Sequence, residues 1–255
     1  MNTVTVRGLT LGTGRPKIII PLVGKTQEEI LAQAAALHTL PVDMVEWRID
    51  WFQDVHKEAA LLAALDALRK ELGELPLLVT FRTAAEGGAA AAIPFEDYAR
   101  LCTTVAATGQ ADLVDVEAFS ATPEEVSALI ATLHGHGVKV IASNHDFHAT
   151  PAEAELIARL CQMQALGADI PKIAVMPQDR GDVMTLLCAT EAFSRLYADR
   201  PIITMSMGAL GVISRLGGQC FGSCATFGSA GQSSAPGQVE VGQLSALLEQ
   251  LDKVL

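Results

Sequence analysis

Met44-Val45-Glu46-Trp47-Arg48-Ile49-Asp50 decides the fold. Alternate side chains of a strand face opposite sides, so Met44, Glu46, Arg48 and Asp50 share one face while Val45, Trp47 and Ile49 take the other. The same phase recurs along the chain. Leu78, Thr80 and Arg82 align in residues 77–82, Leu113, Asp115 and Glu117 in 112–117, Ile141, Ser143 and His145 at 138–145, and Lys172, Ala174 and Met176 in 170–176. The opposite face of each run is almost wholly apolar and calls for helices packed against it. The faces carrying Glu46, Arg48, Arg82, Glu117, His145 and Lys172 then point toward one interior.

Outward from these runs, strand-like and helix-like segments alternate with short connections, the rhythm of parallel strands joined by helical crossovers. Candidate strands cover residues 17–23, 43–49, 77–82, 112–117, 138–144, 170–176, 201–205 and 220–227, and candidate helices include 27–38, 57–72, 94–107, 123–134, 151–166 and 182–197. Thr122 before Pro123 and Thr150 before Pro151 read as capping hydroxyls at helix starts. Eight strands with intervening helices in 255 residues predict an α/β chain folded as a single (β/α)8 TIM barrel over residues 1–255. Two short alternating stretches, 3–7 and 9–12, predict an N-terminal β-hairpin closing the bottom of that barrel. A doubly wound open sheet uses the same units, but no GxGxxG or P-loop favours it.

Burying six ionisable groups is hard to explain as structure alone, because a buried ion pair roughly breaks even against apolar packing. A salt-bridge lattice closing the barrel is the structural alternative; a site at the C-terminal ends of the strands is the functional one. Lys172 sits in the apolar run Pro171-Lys172-Ile173-Ala174-Val175-Met176-Pro177. An ammonium buried without a partner tends to lose its proton, and a neutral amine can attack a ketone; the alternative is a side chain that snorkels to water. His145, in Ser143-Asn144-His145-Asp146-Phe147-His148, stands at the C-terminal mouth, with Glu86 of the loop after residue 82 as a candidate to orient its ring. Arg215 can add a second guanidinium suited to a carboxylate. The small-residue loop 229–238, with Ser234 and Gln238, can close over a ligand. A metal site from His134, His136, His145 and His148 is disfavoured, since the first pair precedes its strand and the second follows it.

The net charge of -11 argues against nucleic acid as a partner, yet leaves room for a small anion held by a few gathered arginines. Five cysteines without paired spacing read as free thiols of a reducing, cytoplasmic location, and no apolar run long enough to span a bilayer predicts a membrane partner.

Seven motifs in order make the chain resemble the type I 3-dehydroquinate dehydratases, Schiff-base enzymes of the shikimate pathway. They are Glu46-Trp47-Arg48-Ile49-Asp50, Thr80-Phe81-Arg82 with Glu86-Gly87-Gly88, Ser143-Asn144-His145-Asp146-Phe147, Pro171-Lys172-Ile173-Ala174, Met205-Ser206-Met207-Gly208, Ile213-Ser214-Arg215, and Ser234-Ala235-Pro236-Gly237-Gln238. The resemblance implies a barrel, dimeric in this family, that needs neither cofactor nor metal. It implies that Lys172 forms an imine with 3-dehydroquinate, that His145 moves the protons and that Glu86 orients His145. It further implies that Arg215, Ser234 and Gln238 hold the substrate carboxylate and close the lid, while Glu46, Arg48 and Arg82 hold the hydroxyls. Pro21 departs from the pattern, which has a substrate-touching serine there. A class I aldolase, also a Schiff-base barrel, and a non-catalytic anion-binding barrel are the competing readings.

Overall fold

Val4–Val6 (β1) and Leu9–Leu11 (β2) pair antiparallel with Val4 opposite Leu11, and every later strand pairing is parallel. The computed structural model describes residues 2–231 and 234–255. Its parallel strands are Lys17–Leu22 (β3), Met44–Arg48 (β4), Leu77–Thr80 (β5), Leu113–Glu117 (β6), Lys139–Asp146 (β7), Ile170–Val175 (β8), Ile203–Ser206 (β9) and Ala225–Ser229 (β10), with the short Val239–Glu240 (β11) beside β10. Neighbours from β3 to β9 follow chain order, and β10 returns to pair with β3. A single parallel bridge between Ile202 and Ser223 spans β9 and β10, where the Cys224 N–H donates to the Ile202 carbonyl at 2.8 Å. The predicted α/β barrel and its hairpin are therefore present.

The helices are Gln27–Ala36 (α1), Glu58–Leu72 (α2), Phe95–Ala107 (α3), Pro123–Gly135 (α4), Glu153–Ala165 (α5), Arg180–Leu196 (α6), the short Val212–Leu216 (α7) and Gly218–Phe221 (α8), and Val241–Asp252 (α9). In α2, Leu61, Leu65, Leu68 and Leu72 recur at helical spacing and are all buried, so one stripe covers the sheet while the other face meets water. Thr122 caps α4 as expected, in a reciprocal capping box with Glu125. Two expectations fail locally. Thr150 does not cap α5, which begins two residues after Pro151; its hydroxyl instead donates to the Met176 carbonyl at 3.2 Å. Residues 220–221 are helical rather than strand, because Gly218–Phe221 closes a turn that Gly222 ends at φ +103, with a Ser194 side chain where a Cβ would stand.

Two apolar clusters show which way the strands face. Ile18, Ile20, Val45, Trp47, Val79, Val114, Val116, Val140 and Ile173 pack outward with the helices. Ile19, Met44, Leu78, Leu113, Ile141, Ile170 and Ile203 pack inward with Val4, Val6 and Leu11 of the hairpin, which plugs the barrel at the strands' N-terminal ends. One step of two residues up the five strands β4 to β8, the inward positions become Glu46, Thr80, Asp115, Ser143 and Lys172. An apolar plug below and polar groups above thus follow from the same alternation. Among the described residues, no helix is long and apolar enough to cross a membrane.

Candidate active site

Lys172 is the fulcrum of the upper barrel. It is 3% exposed, which removes the snorkelling alternative. Its Nζ donates to Asp115 Oδ2 at 3.2 Å and lies 4.6 Å from the centroid of the Phe227 ring. The expectation of a buried lysine without a partner is thus corrected, since β6 supplies a fully buried carboxylate. Asp115 shares the inward phase of Glu117, so the sequence carried the signal; what it lacked was the strand spacing that brings Asp115 and Lys172 into contact. Arg82 binds this cluster together. Its Nη2 donates to Asp115 at 2.8 Å, and its Nη1 reaches Glu117 at 2.9 Å, the Ser143 hydroxyl at 3.0 Å and Glu86 at 3.3 Å. Burial works to raise the Asp115 carboxyl, but Arg82, Lys172 and the Ser143 hydroxyl outweigh it and hold it below its ordinary value.

Glu86 and His145 meet across the mouth. Glu86 sits in a single helical turn after β5, where Gly87 at φ +81 lets the loop lie under the Phe147 ring; a Cβ there would stand 2.4 Å from that ring. This close approach places Glu86 Oε2 at 2.9 Å from His145 Nδ1 and 2.9 Å from the His145 backbone N–H. Burial, reinforced by Arg82, Lys172 and Arg48, drives the His145 imidazolium far below its ordinary range, so the ring is neutral near pH 7. Burial also raises the Glu86 carboxyl, to about 7, against the opposing pull of Arg82. An ionised Glu86 accepts the Nδ1 proton and leaves the Nε2 lone pair free as a base.

The rim is built from pairs that preset each side chain. Arg48 makes a bidentate bond to Asp50, at 2.8 Å through each nitrogen, while Asp50 is itself held by the backbone N–H groups of Arg82 and Ala89. Thr80 donates to Glu46 at 2.8 Å. Ser234 and Gln238 bond to each other twice, each at 3.0 Å. Gln232 and Ser233 of the expected lid loop lie outside the described residues.

Arg215, from α7, differs from every other cation here. It is 1% exposed; among the described residues its Nη groups reach only Met205 Sδ and the carbonyls of Phe227 and Pro236, and its Nε has no hydrogen-bond partner. Burial alone lowers its guanidinium to about 10. A buried cation without a carboxylate is costly, and an anion entering the cavity would offset that cost.

One cavity is lined by Lys172, His145, Glu86, Glu46, Arg48, Arg82, Arg215, Ser234 and Gln238, together with an apolar wall that includes Phe147, Met205, Met207 and Phe227. The nine residues expected to act on or hold a substrate are all on that lining. Glu117 lies beneath it, accepting from Arg82 and from the Thr83 backbone and hydroxyl. Pro21 is buried in β3 opposite Glu46 but is absent from the lining. His134 pairs with Asp169 at 2.7 Å, and among the described residues no group of three or more His, Cys, Asp or Glu side chains could hold a metal. Missed from the sequence were Asp50 and Asn144, the supports of Arg48 and Glu86, and the apolar wall. An amine, a neutral imidazole and an unpaired guanidinium facing one cavity can together hold an anionic carbonyl compound, condense with it and move its protons.

The model of the type I 3-dehydroquinase family matches residues 18–254. A 3-dehydroquinate dehydratase of Listeria monocytogenes serotype 4a is 52% identical over 253 residues, covering 99% of both chains, and that of Clostridium kluyveri is 51% identical over 248 residues, 97% of both. The crystal structure of the type I 3-dehydroquinate dehydratase of Clostridium difficile with covalent modified comenic acid superposes with a TM-score of 0.96 at 46% identity, covering 100% of this chain and 99% of that one. The 3-dehydroquinate dehydratase of Geobacillus kaustophilus gives 0.94 at 36% identity, covering 99% and 97%. With a family model running from β3 to the end of α9 and relatives aligned over nearly their whole length, this chain belongs to the type I 3-dehydroquinase family.

Proposed function

We propose that the chain dehydrates 3-dehydroquinate to 3-dehydroshikimate and water through an imine on Lys172, the third step of the shikimate pathway. The observation that carries this is the unpaired Arg215 guanidinium sharing a cavity with Lys172 and the Glu86–His145 pair. Arg215, with Ser234 and Gln238, takes the substrate carboxylate; Glu46, Arg48 and Arg82 take its hydroxyls. The Lys172 amine adds to the C3 ketone, and the adduct loses water to form the imine. His145 Nε2 removes a C2 proton, and the electron pair passes into the enamine. The imidazolium then gives its proton to the departing C1 hydroxyl, which leaves as water while the double bond forms. Hydrolysis of the product imine frees 3-dehydroshikimate and returns Lys172. Glu86 keeps the proton of His145 on Nδ1, so Nε2 acts as base and then as acid. The covalent modified comenic acid in the Clostridium difficile relative supports a covalent route for this fold.

Mass spectrometry of protein treated with borohydride in the presence of 3-dehydroquinate tests the proposal. The expected adduct lies on Lys172; turnover of 3-dehydroquinate with no trapped adduct would sink the imine route. Replacing Arg215 by glutamine should lower kcat/KM about 10- to 100-fold, mainly through KM, since a charge-assisted carboxylate contact contributes roughly 1.5–3 kcal/mol. An unchanged KM would remove Arg215 from carboxylate binding. Restoring serine at position 21 should alter KM by about two- to tenfold with kcat nearly kept, the scale of one hydrogen bond; unchanged KM and kcat would show that the hydroxyl has no role here. The free thiols favour a cytoplasmic location and the family resemblance a homodimer, the latter tested by sedimentation of the purified protein.

A further inference from the structure

Asn144 alternates with Ser143 and His145 along β7, so its side chain leaves the barrel interior on the side of α5. Its Nδ2 donates to Glu86 Oε1 at 3.0 Å, and Arg159 of α5 donates through Nη1 to its Oδ1 at 2.9 Å. A guanidinium has no acceptor, so the amide oxygen must face Arg159 and the NH2 must face Glu86. Arg159 in turn is held by Glu155 at 2.9 Å. The amide orientation is therefore dictated by a cation on the outer helix.

We propose that Asn144 and Arg159 form a positioning relay that keeps Glu86 ionised and thereby sets the acidic limit of turnover. This rests on His145 acting as the base. Glu86 Oε2 receives Arg82 Nη1, the His145 backbone N–H and His145 Nδ1, while Oε1 receives Asn144. Four N–H donors favour the carboxylate over the acid. Against them stand burial and the Glu117 and Asp115 carboxylates of β6. The other charges around the pair are Arg48 from β4 and Lys172 from β8, both acting on His145. These opposing influences leave Glu86 balanced near neutrality, where one neutral donor decides its state.

Protonation of Glu86 reverses the site's logic. A carboxylic O–H needs an acceptor, and among the groups bonded to Glu86 the only one with a lone pair to offer is His145 Nδ1. The ring proton then moves to Nε2, and the cavity loses its base. Turnover should therefore fall as pH drops through about 7, and removing a donor that favours ionisation should move that fall to higher pH.

The test is the pH profile of kcat/KM for 3-dehydroquinate in the unaltered protein and in Asn144→Ala, Arg159→Ala and Arg159→Lys. The acidic midpoint should rise by about half to one pH unit in Asn144→Ala. Arg159→Ala should move it less in the same direction, because its amide can then turn, and Arg159→Lys should restore it. Activity well above the midpoint and borohydride trapping on Lys172 should be retained. A support that merely holds the fold would lower activity equally at all pH values. Midpoints that coincide with the unaltered protein in both alanine variants overturn the relay while leaving the imine chemistry standing. No dehydration by the unaltered protein would overturn both. Should Asn144→Ala fail to fold, Arg159→Ala at the helix surface decides the matter alone.

Discussion

Lys172→Ala is expected to abolish the borohydride-trapped adduct and to lower turnover of 3-dehydroquinate by at least about ten-thousandfold, since among the described residues no other amine lines the cavity. The fold should survive. Asp115, which loses the ammonium, keeps Arg82 at 2.8 Å and the Ser143 hydroxyl at 2.6 Å, so its charge is still paired. The loss is thus expected in chemistry rather than in folding, and a thermal melt alongside the trapping experiment separates the two. An adduct of undiminished yield in the alanine variant would show that another group is the nucleophile.

His145→Ala is expected to behave differently. Imine formation belongs to Lys172, so the adduct should still form, but with the mass of the substrate imine, because the C2 proton has no base to take it. Turnover should fall by about 100- to 10,000-fold, the range supplied by a positioned general acid and base. Equal loss of adduct in the two variants would refute this division of labour. Removing the ring also leaves Glu86 its bonds from Arg82, Asn144 and the backbone at 145, so the loop after β5 should keep its place.

The interior site was legible because its signal is local. Strand alternation has a period of two, so Glu46, Arg48, Arg82, His145 and Lys172 declare a common face within a few residues each. Once the outer face is known to carry Val45, Trp47, Val79 and Ile173 against helices, the inner face follows by elimination. Where a signal was not local, expectation failed. The run Cys220-Phe221-Gly222 is apolar enough for a strand, and only its packing beside Ser194 shows a glycine-ended turn. The Thr150 hydroxyl precedes a proline as a cap would, yet a carbonyl from the end of β8 lies within its reach.

Residue type and periodicity were enough for the barrel's units and for the inward phase of Glu46, Arg48, Arg82, His145 and Lys172, whereas Glu86, Arg215, Ser234 and Gln238 were named by their place after strands and by the family motifs. Pairing among those groups needed the assembled ring. Asp115 meets Lys172 across the intervening strand because β6, β7 and β8 lie in one register, with Asp115 opposite Ile141 and Ser143 opposite Lys172. The same is true of Arg159, whose hold on Asn144 joins a helix to a strand fifteen residues earlier. Alternation is written into each short segment, whereas charge pairing depends on distances between segments that only close packing sets; a buried lysine is visible in one dimension, but its counter-ion exists only in three.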